Sequence, residues 1–183
     1  GLGVHRDIEK VLGKTFPTFP QAHIYDTLLI GPTCRVQLSA GGPRSWRKAM
    51  LGVFPTAGPQ LDAYLGQVAR VRSWGVHFFF ALRAVAWIPP RLRAWLVDNF
   101  CKTYLDLARI SVKAQLARCG IHEPSELYAA VCGQFGDYGS PPSETSFFVH
   151  AATVNHYLAG AAFPSAEACR EVVGQLVAFQ VTR

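Results

Sequence analysis

The segment that decides the fold runs from residue 136 to residue 164. It begins with the compact turn Gly136-Asp137-Tyr138-Gly139-Ser140-Pro141-Pro142 and ends with Gly160-Ala161-Ala162-Phe163-Pro164. Asp and Gly favour turn geometry, and two consecutive prolines fix φ and prevent a helix from continuing. The composition of residues 136–142 therefore predicts a rigid connection between two helices, with the second helix starting after the prolines.

The segment between these two motifs, Ser143 to Ala159, is predicted to be a helix because its apolar residues recur at spacings of three and four. One face combines an imidazole with apolar side chains, namely Phe147, His150, Ala151, Val154 and Tyr157/Leu158. Two interpretations fit this face. It lines an elongated hydrophobic pocket in which His150 and Tyr157 orient a terminal hydroxyl, or it lies in the core and its His and Tyr bond to backbone carbonyls.

Two short segments upstream have the composition of β-strands. Residues 23–30 are rich in Ile, Leu, Tyr and Thr, Gly31-Pro32 breaks the run, and residues 33–38 alternate polar and apolar side chains. This pattern predicts a hairpin. An isolated two-stranded ribbon is marginally stable in water, so we expect the chain to be part of a larger unit.

The rest of the chain has helical periodicity. Proline fits the first turn of a helix, and it predicts helix starts at Pro43, Pro59, Pro90 and near Pro124. One long helix is predicted from about Lys102 to Cys119, ended by Gly120, and a last helix from about Ser165 to Phe179. The prediction is an α+β fold, mostly helical, in which a small antiparallel strand pair precedes a helical bundle.

Basic and aromatic side chains are concentrated in the middle of the chain. Charged residues are only 16% of the sequence, against about 25% in typical domains. Between Arg70 and Arg118, nine basic residues stand against two acidic ones, interleaved with aromatic side chains. This pattern suits a lipid headgroup interface; alternatively, the aromatic residues form a core and the charges a solvated face. The candidate membrane-facing residues are Trp74, Phe78, Phe79, Trp87, Arg91, Arg93 and Trp95.

Other classes of function are not favoured. The net charge of +6 would suit nucleic acid, but the interleaving of basic and aromatic residues does not. The five cysteines are odd in number and lack C-x-x-C spacing, which favours buried free thiols in a reducing compartment. No metal site and no catalytic set are predicted, because the histidines lack ligand spacing and neither a G-x-S-x-G elbow nor a phosphate-binding glycine motif occurs.

In order and spacing, the segment from Gly136 to Pro164 resembles part of the retinol saturase and carotenoid isomerase/desaturase family of flavin-dependent oxidoreductases. A weaker similarity is Gly3-Val4-His5. The resemblance implies FAD as cofactor and a retinoid or carotenoid polyene as substrate. It also implies a flavin-proximal position for His5, Phe163 and Pro164. The candidate substrate-binding residues are Phe147, His150, Val154 and Tyr157.

Two features depart from the family pattern. The glycine-rich loop that holds the flavin pyrophosphate and the C-terminal flavin-contacting segment do not occur in these residues. The family continues after the proline as Tyr-Pro-x-Gly-Gly, whereas this chain reads Phe163-Pro164-Ser165-Ala166-Glu167. Side chains in place of glycines hinder the close approach of backbone to a ligand. We therefore expect this chain alone to be inactive.

The resemblance implies a single partial domain over residues 1–183. Its first part, residues 1–42, is a strand pair and turn. Residues 43–135 form an apolar, basic helical region that is a candidate membrane face, and residues 136–183 form the turn and helices of the substrate pocket. The expected partners are a hydrophobic polyene or lipid, a membrane surface and a separate FAD-binding domain, with no nucleic acid. The expected location is a plastid or endoplasmic reticulum membrane face. Two alternatives stay open: a non-catalytic lipid- or partner-binding module derived from the family, and a helical interaction domain without a pocket.

Overall fold

The computed structural model describes residues 18–20, 24–39, 41–158 and 162–164, together with five helical positions between residues 170 and 177. Most of the described residues are helical, and a small antiparallel strand pair precedes the helices. The predicted α+β class is therefore confirmed. Of the last predicted helix, from about Ser165 to Phe179, five positions are described, and all five are helical; its other positions lie outside the described residues.

Two antiparallel ribbons account for the described strands, which are β1 (Thr18–Pro20), β2 (Ile24–Ile30), β3 (Cys34–Ser39) and β4 (Ala162–Pro164). β2 and β3 form the predicted hairpin, within a residue or so of the predicted bounds. β1 pairs with β4, a long-range ribbon that the sequence did not predict. Its strands have only three residues each, too short for the composition that predicted β2 or the alternation that predicted β3.

The described helices are α1 (Pro43–Val53), α2 (Gly58–Ala69), α3 (Trp74–Ala84), α4 (Pro90–Phe100), α5 (Lys102–Arg109), α6 (Val112–Arg118), α7 (Glu126–Cys132) and α8 (Phe147–Leu158). Short 3₁₀ turns occupy Arg70–Arg72 and Phe135–Asp137. Proline stands in the first turn of α1, α2 and α4, as predicted. There its missing N–H costs nothing, since the first amides of a helix have no acceptor within it.

The prediction of one helix from Lys102 to Cys119 is wrong, because the chain breaks between α5 and α6. The amide of Phe147 donates to the carbonyl of Ile110 over 2.7 Å, and the amide of Val112 donates to the carbonyl of Thr145 over 2.9 Å. Ser111 then caps α6, its hydroxyl accepting from a backbone amide. The same pairing delays α8, which begins at Phe147 rather than at Ser143.

Gly120 ends α6 as predicted. Its φ is 76°, a left-handed conformation that glycine adopts without strain. The amide of Gly120 donates to Ala117 and the amide of Ile121 donates to Leu116, over 3.0 and 2.9 Å. These two hydrogen bonds satisfy two of the last carbonyls of α6. They also direct Ile121 into the core, where it is 1% exposed.

The core surrounds α8, which packs against α2, α5 and α6, while β3 packs on α1. Its largest fully buried members include Tyr64, Phe147, Leu38, Met50, Leu61 and Leu107. α3 and α4 lie to one side: α4 has no buried residue, and a side chain at Gly75 would meet the carbonyl oxygen of Phe100 at 2.9 Å. Within the described residues, no helix combines the length and apolarity that crossing a bilayer requires.

Candidate functional site

His150 lies in the first turn of α8 and is 0% exposed. Its Nε2 is 2.9 Å from the hydroxyl of Tyr64 on α2, and its Nδ1 is 3.0 Å from the hydroxyl of Tyr138 in the turn after α7. We call these three residues the Tyr–His–Tyr network. Both ring nitrogens are thus satisfied, as a buried imidazole requires. The network ties α2, α8 and the Gly136–Pro142 turn to one another.

Burial lowers the pKa of His150 to about 4, so the imidazole is neutral at neutral pH and carries one N–H and one lone pair. Burial also raises the pKa values of the Tyr64 and Tyr138 hydroxyls. Among the described residues Tyr64 has no second hydrogen-bond partner, and it is 0% exposed. The arrangement that leaves no buried proton unpaired has Tyr64 donating to Nε2 and Nδ1–H donating to the half-buried Tyr138.

The candidate substrate-binding residues separate into two groups. Phe147, His150 and Val154 are at most 3% exposed and belong to the core around Tyr64. Tyr157 is half-buried at the end of α8, where its ring stacks on Tyr25 of β2 with centroids 5.4 Å apart and planes 9° apart. The bonds of His150 go to tyrosine hydroxyls rather than to the backbone carbonyls that the core interpretation named. A substrate-binding role for the four residues stays a prediction.

Tyr157 borders a cavity of about 180 Å³, which we call the acidic cavity. It is lined by Tyr25, Asp26, Gly133, Gln134, Gly136, Asp137 and Tyr157. Burial, with a smaller contribution from Asp26, raises the pKa of Tyr25 to about 12. Burial followed by Asp137 likewise raises the pKa of Tyr157. Both phenols are therefore neutral hydrogen-bonding groups at neutral pH.

The sequence predicted only part of this site. It singled out Asp137 as a turn residue and Tyr157 as a pocket residue, but it missed Tyr25, Asp26 and Gln134. Asp26 is the charged residue of β2, and a carboxylate in a mainly apolar strand is the signal that could have marked it.

The acidic cavity does not fit FAD. A dinucleotide with two phosphates needs a larger space than this one, since sites for drug-sized ligands have volumes of roughly 300–1,000 Å³. Asp26 and Asp137 would also repel the phosphates. Of the flavin-proximal candidates, Phe163 and Pro164 lie in β4, paired through the backbone with Phe19 and Thr18. His5 lies outside the described residues.

The candidate membrane-facing residues are spread over α3, α4 and their connecting loop, residues 74–100, which we call the aromatic hairpin. Trp74, Trp87 and Trp95 are 63%, 83% and 55% exposed. Trp74 stacks on Phe78, and the ring of Phe100 contacts Trp74, Phe78 and Trp95 edge-on. Trp74, Phe78 and Trp95 thus form one cluster around Phe100, with both tryptophans exposed, while Trp87 lies in the loop.

The remaining candidates differ in their surroundings. Phe79 is half-buried and stacks on Tyr104 of α5 with ring centroids 3.7 Å apart. Arg91 is exposed. Arg93 donates to the carbonyl of Val85 over 2.7 Å and so holds the loop of the hairpin. Its guanidinium is therefore engaged by protein, whereas that of Arg91 faces solvent.

The described cysteines are buried free thiols, at Cys34, Cys101, Cys119 and Cys132. Burial raises the pKa of each, which lowers the fraction of reactive thiolate at neutral pH. In the part of the chain that the structure describes, no group of three or more His, Cys, Asp or Glu could hold a metal ion.

Known proteins similar to this chain are reductases of retinol. The chain is 28% identical to the all-trans-retinol 13,14-reductase of Macaca fascicularis over 149 residues, and 27% identical to that of Homo sapiens over 151 residues. Each match covers 79% of this chain and 24% of the relative, so the chain spans about a quarter of the length of these relatives. No protein-family model and no solved structure matches. The matches support a relationship to retinol saturase-like proteins at the level of the family.

Proposed function

We propose that this chain is the substrate-binding portion of a flavin-dependent oxidoreductase that acts on carbon–carbon double bonds of retinoid or carotenoid polyenes. The observation that carries the proposal is the similarity to two retinol 13,14-reductases over 79% of the chain. FAD would supply the hydride chemistry when bound elsewhere in the whole protein. The residues of this chain would bind and orient the polyene.

The aromatic hairpin supports an apolar ligand or surface. Trp74, Phe80, Trp95 and Phe100 are each at least 44% exposed, an unusual concentration of large apolar side chains on a soluble surface. Three arginines are exposed there, Arg72 just before the hairpin and Arg83 and Arg91 within it. Aromatic rings beside cationic side chains suit the boundary between lipid headgroups and acyl chains. We therefore include an anionic membrane surface, from which a polyene would be drawn, among the proposed partners.

A second candidate function is a non-catalytic module that binds lipid or a partner through the same hairpin. The observation that favours it is Ala166-Glu167, where the family pattern has two glycines. Both candidates predict binding of an apolar molecule, and they differ in whether the whole protein transfers hydride.

The test is energy transfer from tryptophan to all-trans-retinol added to the purified chain. Replacing both Trp74 and Trp95 by Ala removes the two tryptophans of the exposed cluster and leaves the buried Trp46 and the loop residue Trp87 as energy donors. We expect retinol to bind the wild-type chain and the affinity of the double variant to fall about tenfold, since two aromatic contacts of roughly 0.5–1.5 kcal/mol each are lost. Leu29→Ala, which truncates another exposed apolar side chain, is the matched control and should bind retinol like the wild type.

Two outcomes would contradict the proposal. A folded chain that binds neither retinol nor a carotenoid is not a substrate-binding portion. Stoichiometric binding of FAD to this chain alone, followed by quenching of flavin fluorescence, would place the flavin site within these residues and contradict the division proposed here.

A further inference from the structure

We infer that the loop of the aromatic hairpin, residues 85–89, inserts into an anionic lipid bilayer, while the opposite end of the hairpin stays outside the bilayer. We call this loop the hairpin tip. The inference rests on the proposed function, which includes an anionic membrane surface among the partners. It adds which residues enter the lipid and how the hairpin is oriented on the surface.

The hairpin carries aromatic side chains at two opposite ends. At the end away from the tip, Gly75 lies so close to α4 that a side chain there would meet the carbonyl oxygen of Phe100 at 2.9 Å. The two helices are therefore antiparallel, with Trp74 and Phe100 at the base and Trp87 in the tip. Since each helix has 11 residues and rises about 1.5 Å per residue, base and tip are roughly 15 Å apart.

The tip is apolar and open to solvent. It reads Val85-Ala86-Trp87-Ile88-Pro89. Trp87 is 83% exposed, more than any other large apolar side chain among the described residues. Its indole combines an apolar body with one N–H donor, which favours the boundary between lipid headgroups and acyl chains.

The backbone of the tip is partly satisfied by the hairpin itself. The side chain of Arg93 donates to the carbonyl of Val85 over 2.7 Å, and the amide of Arg93 donates to the carbonyl of Pro89 over 2.9 Å. Pro89 and Pro90 have no N–H to satisfy. Because unpaired backbone groups are costly in lipid, hydrogen bonds at both ends of the tip lower the cost of inserting it.

Positive charge on both sides of the tip selects an anionic surface. Arg83 and Arg91 each stand four residues from Trp87 and are exposed, and neither forms an ion pair with another described residue. No Asp or Glu occurs between Asp62 and Asp98. The charge is therefore complementary to anionic headgroups, and the apolar tip between the two arginines favours a bilayer over an acidic protein.

These features define one orientation. Interfacial segments enter a bilayer by roughly 5–10 Å. At that depth the tip is within the lipid, the two arginines beside it reach the phosphates, and the base, with Trp74, remains outside.

The test measures co-sedimentation of the purified chain with retinol-free vesicles made of equal parts of phosphatidylcholine and phosphatidylglycerol. Trp87→Ala should weaken binding about tenfold, because the apolar anchor is lost. Trp74→Ala removes an exposed tryptophan at the base. It is the matched control and should bind like the wild type.

A second pair of variants tests the charge. Arg83→Gln with Arg91→Gln should weaken binding about thirtyfold, since each arginine near an anionic surface contributes about fivefold. Arg35→Gln with Arg118→Gln makes the same change in net charge at exposed positions outside the hairpin. This control should lose much less affinity.

Vesicles with brominated acyl chains report which tryptophan enters the lipid. They should quench the fluorescence of the wild type and of Trp74→Phe, and the quenching should be lost in Trp87→Phe. Quenching that persists in Trp87→Phe would overturn the inference. Equal losses of binding in Trp74→Ala and Trp87→Ala, or equal binding to pure phosphatidylcholine vesicles, would overturn it as well.

Two further outcomes separate this inference from other readings of the hairpin. Binding to polyglutamate without binding to vesicles would overturn the inference and indicate an acidic protein partner. A chain that binds retinol in the absence of lipid but does not bind vesicles contradicts only this inference. A chain that binds vesicles but not retinol or a carotenoid contradicts only the proposed binding of a polyene.

Discussion

The Tyr–His–Tyr network and the aromatic hairpin are built from similar side chains but have opposite environments. Around α8, Tyr64, Phe147 and His150 are 0% exposed because α2, α5 and α6 surround that helix. In the hairpin, Trp74 and Trp95 are more than half exposed, and α4 contributes no buried residue. The number of neighbouring elements, rather than aromatic content, decides which cluster is core. The following predictions test this difference, from the largest effect to the smallest.

The first prediction compares the same residue type inside and outside the core. Phe147→Ala should lower the free energy of unfolding by about 3–5 kcal/mol, because it leaves a cavity beside Tyr64. Phe135→Ala, at a position 53% exposed, should change it by no more than about 1 kcal/mol. Urea unfolding followed by circular dichroism measures both. Equal losses would mean that α8 is not the centre of the core.

The second prediction concerns pH. The unfolded chain protonates His150 below its ordinary pKa of 6.5, whereas the folded chain keeps it neutral down to about 4. The unfolded state therefore binds more protons in this window, and stability falls as the pH falls through it. The contribution of His150 to the free energy of unfolding is complete above pH 6.5. Below that pH it decreases by about 1.4 kcal/mol per pH unit, and the total loss is about 3 kcal/mol near pH 4.

Urea unfolding across this pH range gives the measurement. His150→Gln should lack the decrease that the wild type shows between pH 6.5 and 4. His156→Gln, at an exposed position on the same helix, should keep the wild-type decrease. A wild-type profile that His150→Gln leaves unchanged would contradict the buried neutral imidazole.

The third prediction separates the two tyrosines of the network. Tyr64→Phe should cost about 1–3 kcal/mol, because it leaves the buried Nε2 without a donor. Tyr138→Phe should cost less, about 0.5–1.5 kcal/mol, since water reaches the half-buried turn. Imidazole ¹⁵N shifts of the wild type should show the proton on Nδ1. A proton on Nε2 would contradict the proposed direction of the two bonds.

The fourth prediction makes one substitution in both regions. Trp95→Ala should lower stability by only about 0.5–1 kcal/mol, the value of its edge contact with Phe100. Trp46→Ala should cost about 3–5 kcal/mol, since Trp46 is 3% exposed beside Tyr64. Thermal unfolding provides the comparison. A large loss for Trp95→Ala would mean that α4 packs into the core.

Local signals made most of the helices predictable. Proline marked the starts of α1, α2 and α4, and glycine marked the end of α6, because these residues act through their own backbone conformation. The break at Ile110-Ser111 was not predictable in this way, since it is held by bonds to residues near position 146. Such partners are distant in sequence, and no window of the chain contains both.

The candidate site was predictable to the same extent. Helical spacing identified His150 and Tyr157 as candidate site residues. It did not show that His150 would be enclosed by Tyr64 and Tyr138. Nor did it show that Tyr157 would stack on Tyr25. These contacts join segments from four parts of the chain, so they depend on tertiary packing. A tyrosine hydroxyl on the apolar face of α2 was the available hint that a buried partner was needed.

The ribbon of β1 and β4 has a consequence for how this segment can be connected. Thr18 lies opposite Pro164 and Pro20 opposite Ala162, so the segment that contains α1 to α8 begins and ends on adjacent antiparallel strands. A unit whose entry and exit coincide can be spliced into a host domain at a single point without separating the host's own strands. The ribbon thus holds the two ends of the segment from residue 20 to residue 162 side by side.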